Sequence, residues 1–209
     1  MCKNRILPIG KTLKSYLKEY GEKRPNVSLC CPEKACKKRT LYKHGRYFRW
    51  VTTKYQCILI PIYRWYCPIC GKTVSLFPNF LIPWARVATA SREAAFNRRR
   101  KGISFEKISK GIVSPLIGGI SATTIKRWWN RYLAQIGRSS LWVAGRLIHF
   151  GEVEDLLRLH SKGVNPTPLD TLEWFYILLQ KYVHHFQFNP SLMGYLSFLN
   201  THLPAKLRL

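Results

Sequence analysis

Residues 64–81 read RWYCPICGKTVSLFPNFL, and this stretch decides the fold. Cys67 and Cys70 form a C-x2-C pair, and Gly71 stands directly behind the pair. A tight turn that carries two cysteines directs both sulfurs inward, and a glycine lets the backbone turn its N–H groups towards them. The pattern therefore predicts one half of a four-cysteine metal site, here called a knuckle.

A second pair of cysteines lies upstream, separated from the first by thirty residues. Cys31 and Cys36 form a C-x4-C pair, but Cys30 stands beside Cys31, so a pairing of Cys30 with Cys36 is open. Cys31 is favoured because Pro32 follows it, just as a proline follows the first cysteine of the downstream pair. Two knuckles predict a tetrahedral zinc ribbon. The predicted ligands are Cys31, Cys36, Cys67 and Cys70.

The seven cysteines favour metal binding over disulfides, because no secretory signal is visible and a reducing compartment keeps thiols free. Four thiolates would close the coordination shell, so we expect a structural Zn²⁺ with no reactive position. Free thiols in the protein core are the competing interpretation. His44 could replace one cysteine, but a histidine on the strand surface is the better explanation.

The segments between and after the knuckles have the period-two pattern of strands. Residues 40–51 and 55–66 are rich in β-branched and aromatic residues and predict two antiparallel strands, and residues 73–77 predict a third. His44, Gly45 and Arg46 interrupt the first of these, which indicates a bulge or a tight turn.

With HGRYFR at residues 44–49, the stretch at 64–81 resembles the zinc ribbon of bacterial insertion-sequence proteins. That ribbon occurs in the N-terminal regions of some transposases and in a stand-alone family of unknown function linked to mobile elements. The resemblance covers roughly residues 28–85. It implies that the four cysteines named above bind zinc and that the protein binds DNA in a mobile-element context. It does not imply an enzymatic activity.

Charge points to a polyanionic partner. The chain has 35 Lys plus Arg against 10 Asp plus Glu, a formal charge of +25. Residues 1–150 carry 30 basic and 5 acidic side chains, whereas residues 151–209 carry 5 of each. Nucleic acid relieves such self-repulsion through phosphate pairing and counterion release. No apolar run approaches the 18 residues of a membrane span. We therefore expect double-stranded DNA as partner, no membrane, and a cytoplasmic, nucleoid-associated bacterial protein.

Helical patterns follow the ribbon. They predict helices at 90–101 with Thr89 as cap, at 103–110, and from Ser121 to about residue 135, with a turn at 113–119. Three helices of which the last is basic suggest a helix-turn-helix. We expect an α+β protein with a basic N-terminal segment (1–27), a zinc ribbon (28–85), a helix-turn-helix-like region (86–150) and a neutral C-terminal helical unit (151–209).

In a helix-turn-helix the third helix enters the major groove, and the side chains near its N-terminus reach base edges. The competing interpretation is an ordinary amphipathic helix with a solvated polar face. Basic side chains at the end of the first helix and on the ribbon are candidates for phosphate contacts. The candidate nucleic-acid contacts are Lys37, Lys38, Arg39, Arg46, Arg98, Arg99, Arg100, Lys101, Thr123, Thr124, Lys126, Arg127, Asn130 and Arg131.

The last 59 residues predict helices at 152–160, 169–186 and 191–199, which could pack on the chain's own core or on a protein partner. Metal-dependent strand transfer needs separated carboxylates that converge on metal ions. Glu152, Glu154 and Asp155 instead cluster at one predicted helix start, and no phosphate-binding glycine loop is present. We therefore expect no catalysis.

The sequence favours a DNA-binding accessory or target-recognition factor for transposition of a mobile element, or a regulator. The alternative is a protein–protein adaptor that binds RNA or DNA without sequence preference. A transposase fragment is the least favoured interpretation.

Overall fold

The computed structural model describes residues 3–6, 12–33, 35–36, 40–151, 167–187 and 194–204. Its sheet has four strands in the order β1-β4-β3-β2. The strands are β1 (Lys3–Ile6), β2 (Tyr42–Thr52), β3 (Cys57–Tyr66) and β4 (Thr73–Phe77). The last three are antiparallel neighbours, as the period-two pattern predicts, and β1 pairs in parallel with β4. The register shifts between Lys43 and Arg46, so the pairing is interrupted where the sequence predicts a bulge or a tight turn.

A first helix, α1 (Leu13–Tyr20), packs on the sheet. Tyr16 and Tyr20 are buried in the sheet's core, and the Tyr16 hydroxyl donates to the Pro61 carbonyl over 2.8 Å. Burying two aromatic side chains in this way contributes several kcal/mol, roughly 2 for each ring. The segment expected at 1–27 thus adds a strand to the sheet and a helix to the core beside it.

Three helices and a short 3₁₀ turn come next: α2 (Thr89–Arg100), α3 (Phe105–Ile112), the turn at Pro115–Ile117, and α4 (Ala122–His149). A small apolar core joins the three helices through Ala95, Ile108, Ile112, Val113 and Ile125. The chain is therefore a mixed α and β protein.

Two sequence predictions about these helices are wrong. Thr89 is not the cap of α2 but its first residue; it is buried, and its hydroxyl lies 2.6 Å from that of Ser197. Helix α4 continues to His149 instead of ending near residue 135. Val143 and Leu147 are fully buried in the second half of α4, and this packing outweighs the weak helix propensity of that half.

The C-terminal helices α5 (Pro168–His184) and α6 (Tyr195–His202) pack on α2 and α4 and form a second large core beside that of the sheet. Thr167 and Asp170 form a capping box at the start of α5. The two helices therefore bury apolar surface on their own chain. The helix predicted at 152–160 lies outside the described residues. Among the described helices, none combines the length and apolarity needed to cross a lipid bilayer.

A buried carboxylate attaches α6 to α2. Glu93 on α2 accepts the backbone N–H groups of Tyr195 over 3.0 Å and of Leu196 over 2.9 Å. These are two of the N–H groups that the first turn of a helix cannot satisfy internally. Burial raises the pKa of the Glu93 carboxyl, and the N–H groups of Leu196 and Tyr195 oppose that shift.

Candidate metal centre and nucleic-acid interface

The four predicted cysteines meet at one point. The sulfur atoms of Cys31, Cys36, Cys67 and Cys70 all lie within 4.8 Å of one another. The Sγ atoms of Cys31 and Cys70 are 3.5 Å apart, and those of Cys36 and Cys67 are 3.6 Å apart. A tetrahedral ion with metal–sulfur distances of about 2.3 Å needs sulfur–sulfur separations of about 3.8 Å. The group can therefore hold a metal ion and is compatible with structural zinc.

The second knuckle is the turn between β3 and β4. The N–H of Cys67 donates to the carbonyl of Lys72, and the N–H of Gly71 donates to the carbonyl of Cys67, both over 2.9 Å. Gly71 has a φ of 66°, a left-handed conformation that a side chain would strain. The backbone N–H of Cys70, together with that of Ile69, lowers the pKa of the Cys67 thiol to about 6. At Cys67 this turn therefore favours the thiolate that a metal ion requires, whereas burial raises the pKa of the Cys70 thiol.

The first knuckle has a related turn. The N–H of Cys36 donates to the carbonyl of Glu33 over 3.0 Å, and the N–H of Glu33 donates to the Cys31 sulfur. Cys30 is exposed and lies outside the sulfur group, so the geometry favours Cys31 as the ligand. His44 also lies outside the group, with its ring 5.4 Å from that of Tyr66.

An ion pair that the sequence analysis missed connects the two knuckles. The Lys72 ammonium donates to the Glu33 carboxylate, and both side chains are about one third exposed. Each of these residues stands two positions after a cysteine of its own knuckle, Cys31 and Cys70. The same spacing after a cysteine, with opposite charges, is the sequence pattern that could have predicted this ion pair. Because the ion pair is partly exposed, we expect it to orient the two knuckles relative to each other more than to stabilise the protein.

The candidate recognition helix begins at a clear cap. The Thr124 N–H donates to the Ser121 hydroxyl oxygen over 3.2 Å, and this fixes the start of α4. Thr124 itself is partly buried, whereas five other predicted contacts are exposed on the same half of the helix. These five, here called the α4 polar face, are Thr123, Lys126, Arg127, Asn130 and Arg131. The opposite side of α4 is buried through Ile125, Trp129, Tyr132 and Ile136, as the helical spacing predicts.

The basic run at the end of α2 makes contacts inside the protein. Arg99 donates to the Ile103 carbonyl over 3.3 Å and lies 4.6 Å from the Phe105 ring. Arg100 lies 4.1 Å from the ring of Tyr176. Lys101 is exposed at the end of the helix. These cation–π contacts connect α2 to α3 and α5, so the run has a packing role that its sequence did not indicate.

Two of the remaining predicted contacts touch other parts of the protein. Arg98 packs against the backbone of Gly111, where an added Cβ would meet its guanidinium at 2.7 Å. Arg46 is exposed on β2 and donates to the Gly21 carbonyl over 3.3 Å. Lys37, Lys38 and Arg39 lie outside the described residues, as do Glu152, Glu154 and Asp155.

Arg92 is a buried charge that no local pattern in the sequence indicates. Its guanidinium lies 5.1 Å from the Trp128 ring, and its Nε has no hydrogen-bond partner among the described residues. Burial, together with the nearby charge of Arg131, lowers the pKa of Arg92 to about 10. The field of Arg92 therefore adds to the positive potential around the α4 polar face.

The fold and the site together define a mixed α and β protein with four cysteines placed to hold a metal ion and a basic helical region. Comparisons with protein-family models, with curated proteins and with solved structures found no match.

Proposed function

We propose that this protein binds double-stranded DNA through the α4 polar face and that a zinc ribbon holds its N-terminal half together. The observation that carries the proposal is the division of α4 into two sides. Its buried side fixes the helix on the core, while Thr123, Lys126, Arg127, Asn130 and Arg131 are exposed together near its N-terminus. Arg and Asn are the side chains that bond guanine and adenine with two hydrogen bonds.

The arrangement of α2, α3 and α4 around one small core supports a helix-turn-helix. Residues 113–121 separate α3 from α4, which is longer than the three or four residues of the compact motif. The 3₁₀ turn within that segment packs Ile117 against the small core, so the longer connection is still ordered. We assign α4 the role of recognition helix within this longer form of the motif.

Zinc is the metal that we propose for the four-cysteine group, because a closed shell of four thiolates is typical of structural zinc. The ribbon's resemblance to insertion-sequence proteins supports a function in a mobile element. In that setting the protein serves as an accessory or target-recognition factor, or as a regulator, and has no catalysis of its own. A phosphate-contacting role for Arg98, Arg99, Arg100 and Lys101 belongs to the same proposal, since binding to DNA requires cations beside the recognition helix.

The test begins with a duplex selected from a random pool by the wild-type protein. Its affinity is then compared with that of a scrambled duplex of equal length, by fluorescence anisotropy at several salt concentrations. Arg127→Lys keeps the charge but loses the two-fold hydrogen bonding of arginine. We expect this variant to bind the selected duplex about 5- to 150-fold more weakly and the scrambled duplex almost as well as the wild type.

Arg138→Lys is the matched control, because Arg138 is an exposed arginine of the same helix, about 16 Å further along its axis from Arg127. It should leave discrimination between the two duplexes unchanged. Equal wild-type affinities for the two duplexes would reject sequence recognition and favour the non-specific adaptor.

A further inference from the structure

One face of the β2–β3 hairpin has aromatic side chains that nothing in the described part of the chain covers fully. Opposite residues in an antiparallel pair lie on the same face, and Trp50 is opposite Leu59 while Phe48 is opposite Pro61. Trp50 is 53% exposed, Phe48 52% and Leu59 42%. The reverse face of the same strands includes Val51, Ile60 and Ile62, which are fully buried. The hairpin therefore has a core face and an exposed aromatic face.

Helix α1 and the chain after it cover only the far end of this exposed face. The Tyr63 hydroxyl donates to the Tyr20 carbonyl over 2.9 Å, and the Arg24 guanidinium lies 5.2 Å from the Tyr63 ring. The cover ends near Arg46, whose guanidinium lies 5.3 Å from the Phe48 ring. Phe48 and Trp50 thus stand beside a covered region, with an arginine at the border.

Charge decides which kind of partner fits this face. Between Glu33 and Glu93 the chain has twelve Lys or Arg and no Asp or Glu. Arg46 borders the aromatic rings on the strand, and Lys54 is exposed at the hairpin turn. A surface of this kind complements a polyanion that carries flat apolar groups, because cations pair with phosphates while rings stack on bases.

The rings select unpaired bases over paired ones. Residues i and i+2 of a strand are about 6.7 Å apart, so Phe48 and Trp50 can each receive one base of an extended strand. In a duplex the faces of the bases are already stacked on their neighbours. A protein surface can reach those faces only where the strands are separated.

We propose that the exposed face formed by Phe48, Trp50 and Leu59 binds single-stranded DNA by stacking its bases on the two aromatic rings, while Arg46 and Lys54 hold the phosphates. This site is separate from the α4 polar face and does not depend on duplex recognition. It gives the ribbon a function of its own beyond holding a metal ion: it binds DNA whose strands have been opened.

The test uses two fluorescent 15-nucleotide probes, oligo(dT) and an abasic strand with the same phosphates. Wild-type full-length protein should bind oligo(dT) at least 5-fold more tightly than the abasic strand, since stacking on one aromatic ring is worth roughly 5- to 150-fold in affinity. This comparison needs no variant, so it holds even if a substituted protein folds poorly. Equal affinity for the two probes would overturn the proposal.

Two substitutions at one position separate stacking from apolar contact. Trp50→Leu keeps an apolar side chain of strand-compatible shape but removes the ring, and Trp50→Phe keeps a ring. Trp50→Leu should reduce oligo(dT) affinity at least 5-fold and leave the abasic strand unaffected, while Trp50→Phe should keep most of the wild-type affinity. A Trp50→Leu variant that binds oligo(dT) as well as the wild type contradicts the inference.

Two further measurements distinguish this site from the α4 polar face and from a dimer interface. Arg127→Lys should reduce duplex discrimination about 5- to 150-fold but keep oligo(dT) affinity, so a failure of either proposal can be recognised without the other. Sedimentation of the wild type should show a monomer. A wild-type dimer that dissociates in Trp50→Leu would show that a second copy covers the face, and the proposal would be wrong.

Discussion

The contact between Glu93 and the first turn of α6 can be tested by Glu93→Ala. The carboxylate accepts the N–H groups of Tyr195 and Leu196 inside the protein, and the Glu93 side chain is only 6% exposed. Removing it leaves the buried N–H of Leu196 and the partly buried N–H of Tyr195 without this partner, at a cost of about 1–3 kcal/mol for a fully buried donor. Loss of a helix cap alone costs about 0.5–2 kcal/mol, so we expect a total near 2–4 kcal/mol.

Such a loss is a large part of the roughly 5–15 kcal/mol that stabilises an ordinary domain. For a chain of this size it corresponds to a fall in melting temperature of about 4–16 °C. Urea denaturation and thermal melting measure the free energy of unfolding. Hydrogen exchange at Tyr195 and Leu196 locates the effect. Glu173→Ala is the control, because Glu173 is an exposed carboxylate within α5 and should change stability by less than about 0.5 kcal/mol. A Glu93→Ala variant as stable as this control would refute the assignment of Glu93 as the cap of α6.

The remaining predictions concern pH, the metal and three glycines. Because burial raises the pKa of the Glu93 carboxyl in the folded state, stability should fall as pH rises from the ordinary carboxyl pKa through the raised value. The two hydrogen bonds to α6 remain above that range, so this step is separate from the loss expected for Glu93→Ala. Glu93→Gln should remove the step from the pH–stability curve, and an unchanged curve contradicts the reasoning. One zinc ion per chain should be found by elemental analysis, and Cys31→Ser should lower that content while Cys30→Ser should not; the reverse result would make Cys30 the ligand. Gly71→Ala should cost about 1 kcal/mol or more of folding stability, because φ is positive at Gly71. Gly137→Ala should be neutral or stabilising, because Gly137 lies in a helix with nothing within 4 Å of an added Cβ. Equal stabilities of the two variants in urea denaturation would contradict this. Gly194→Ala should destabilise the protein about as much as Glu93→Ala, since the new Cβ would lie 2.5 Å from the Glu93 carboxylate, and a wild-type melting temperature would count against that contact.

The features predicted correctly from the sequence are those with local patterns. The second knuckle is set by Cys67, Cys70 and Gly71, which are close together in the chain, so its turn follows from spacing alone. The strands β2 and β3 follow from alternation. In each case neighbouring residues carry the physical reason for the structure.

The features that were missed depend on contacts between distant residues. Glu93 meets Tyr195 across 102 positions, and no local pattern around Glu93 indicates a cap for another helix. The second half of α4 contains Gly137 and Gly145, which favour an end to the helix, yet burial against α5 extends it. The exposed aromatic face depends on how far α1 and the chain after it reach along one side of the hairpin, and period-two alternation cannot decide that.

Sequence recognition by the α4 polar face is the central claim, and one affinity ratio tests it most directly. At physiological salt, the wild-type protein should bind the selected duplex at least about 1,000-fold more tightly than the scrambled one, the lower end of specific protein–DNA recognition. Arg127→Lys should reduce that ratio by roughly one to two orders of magnitude. A wild-type ratio near 1, or a ratio that Arg127→Lys leaves unchanged, would contradict the account.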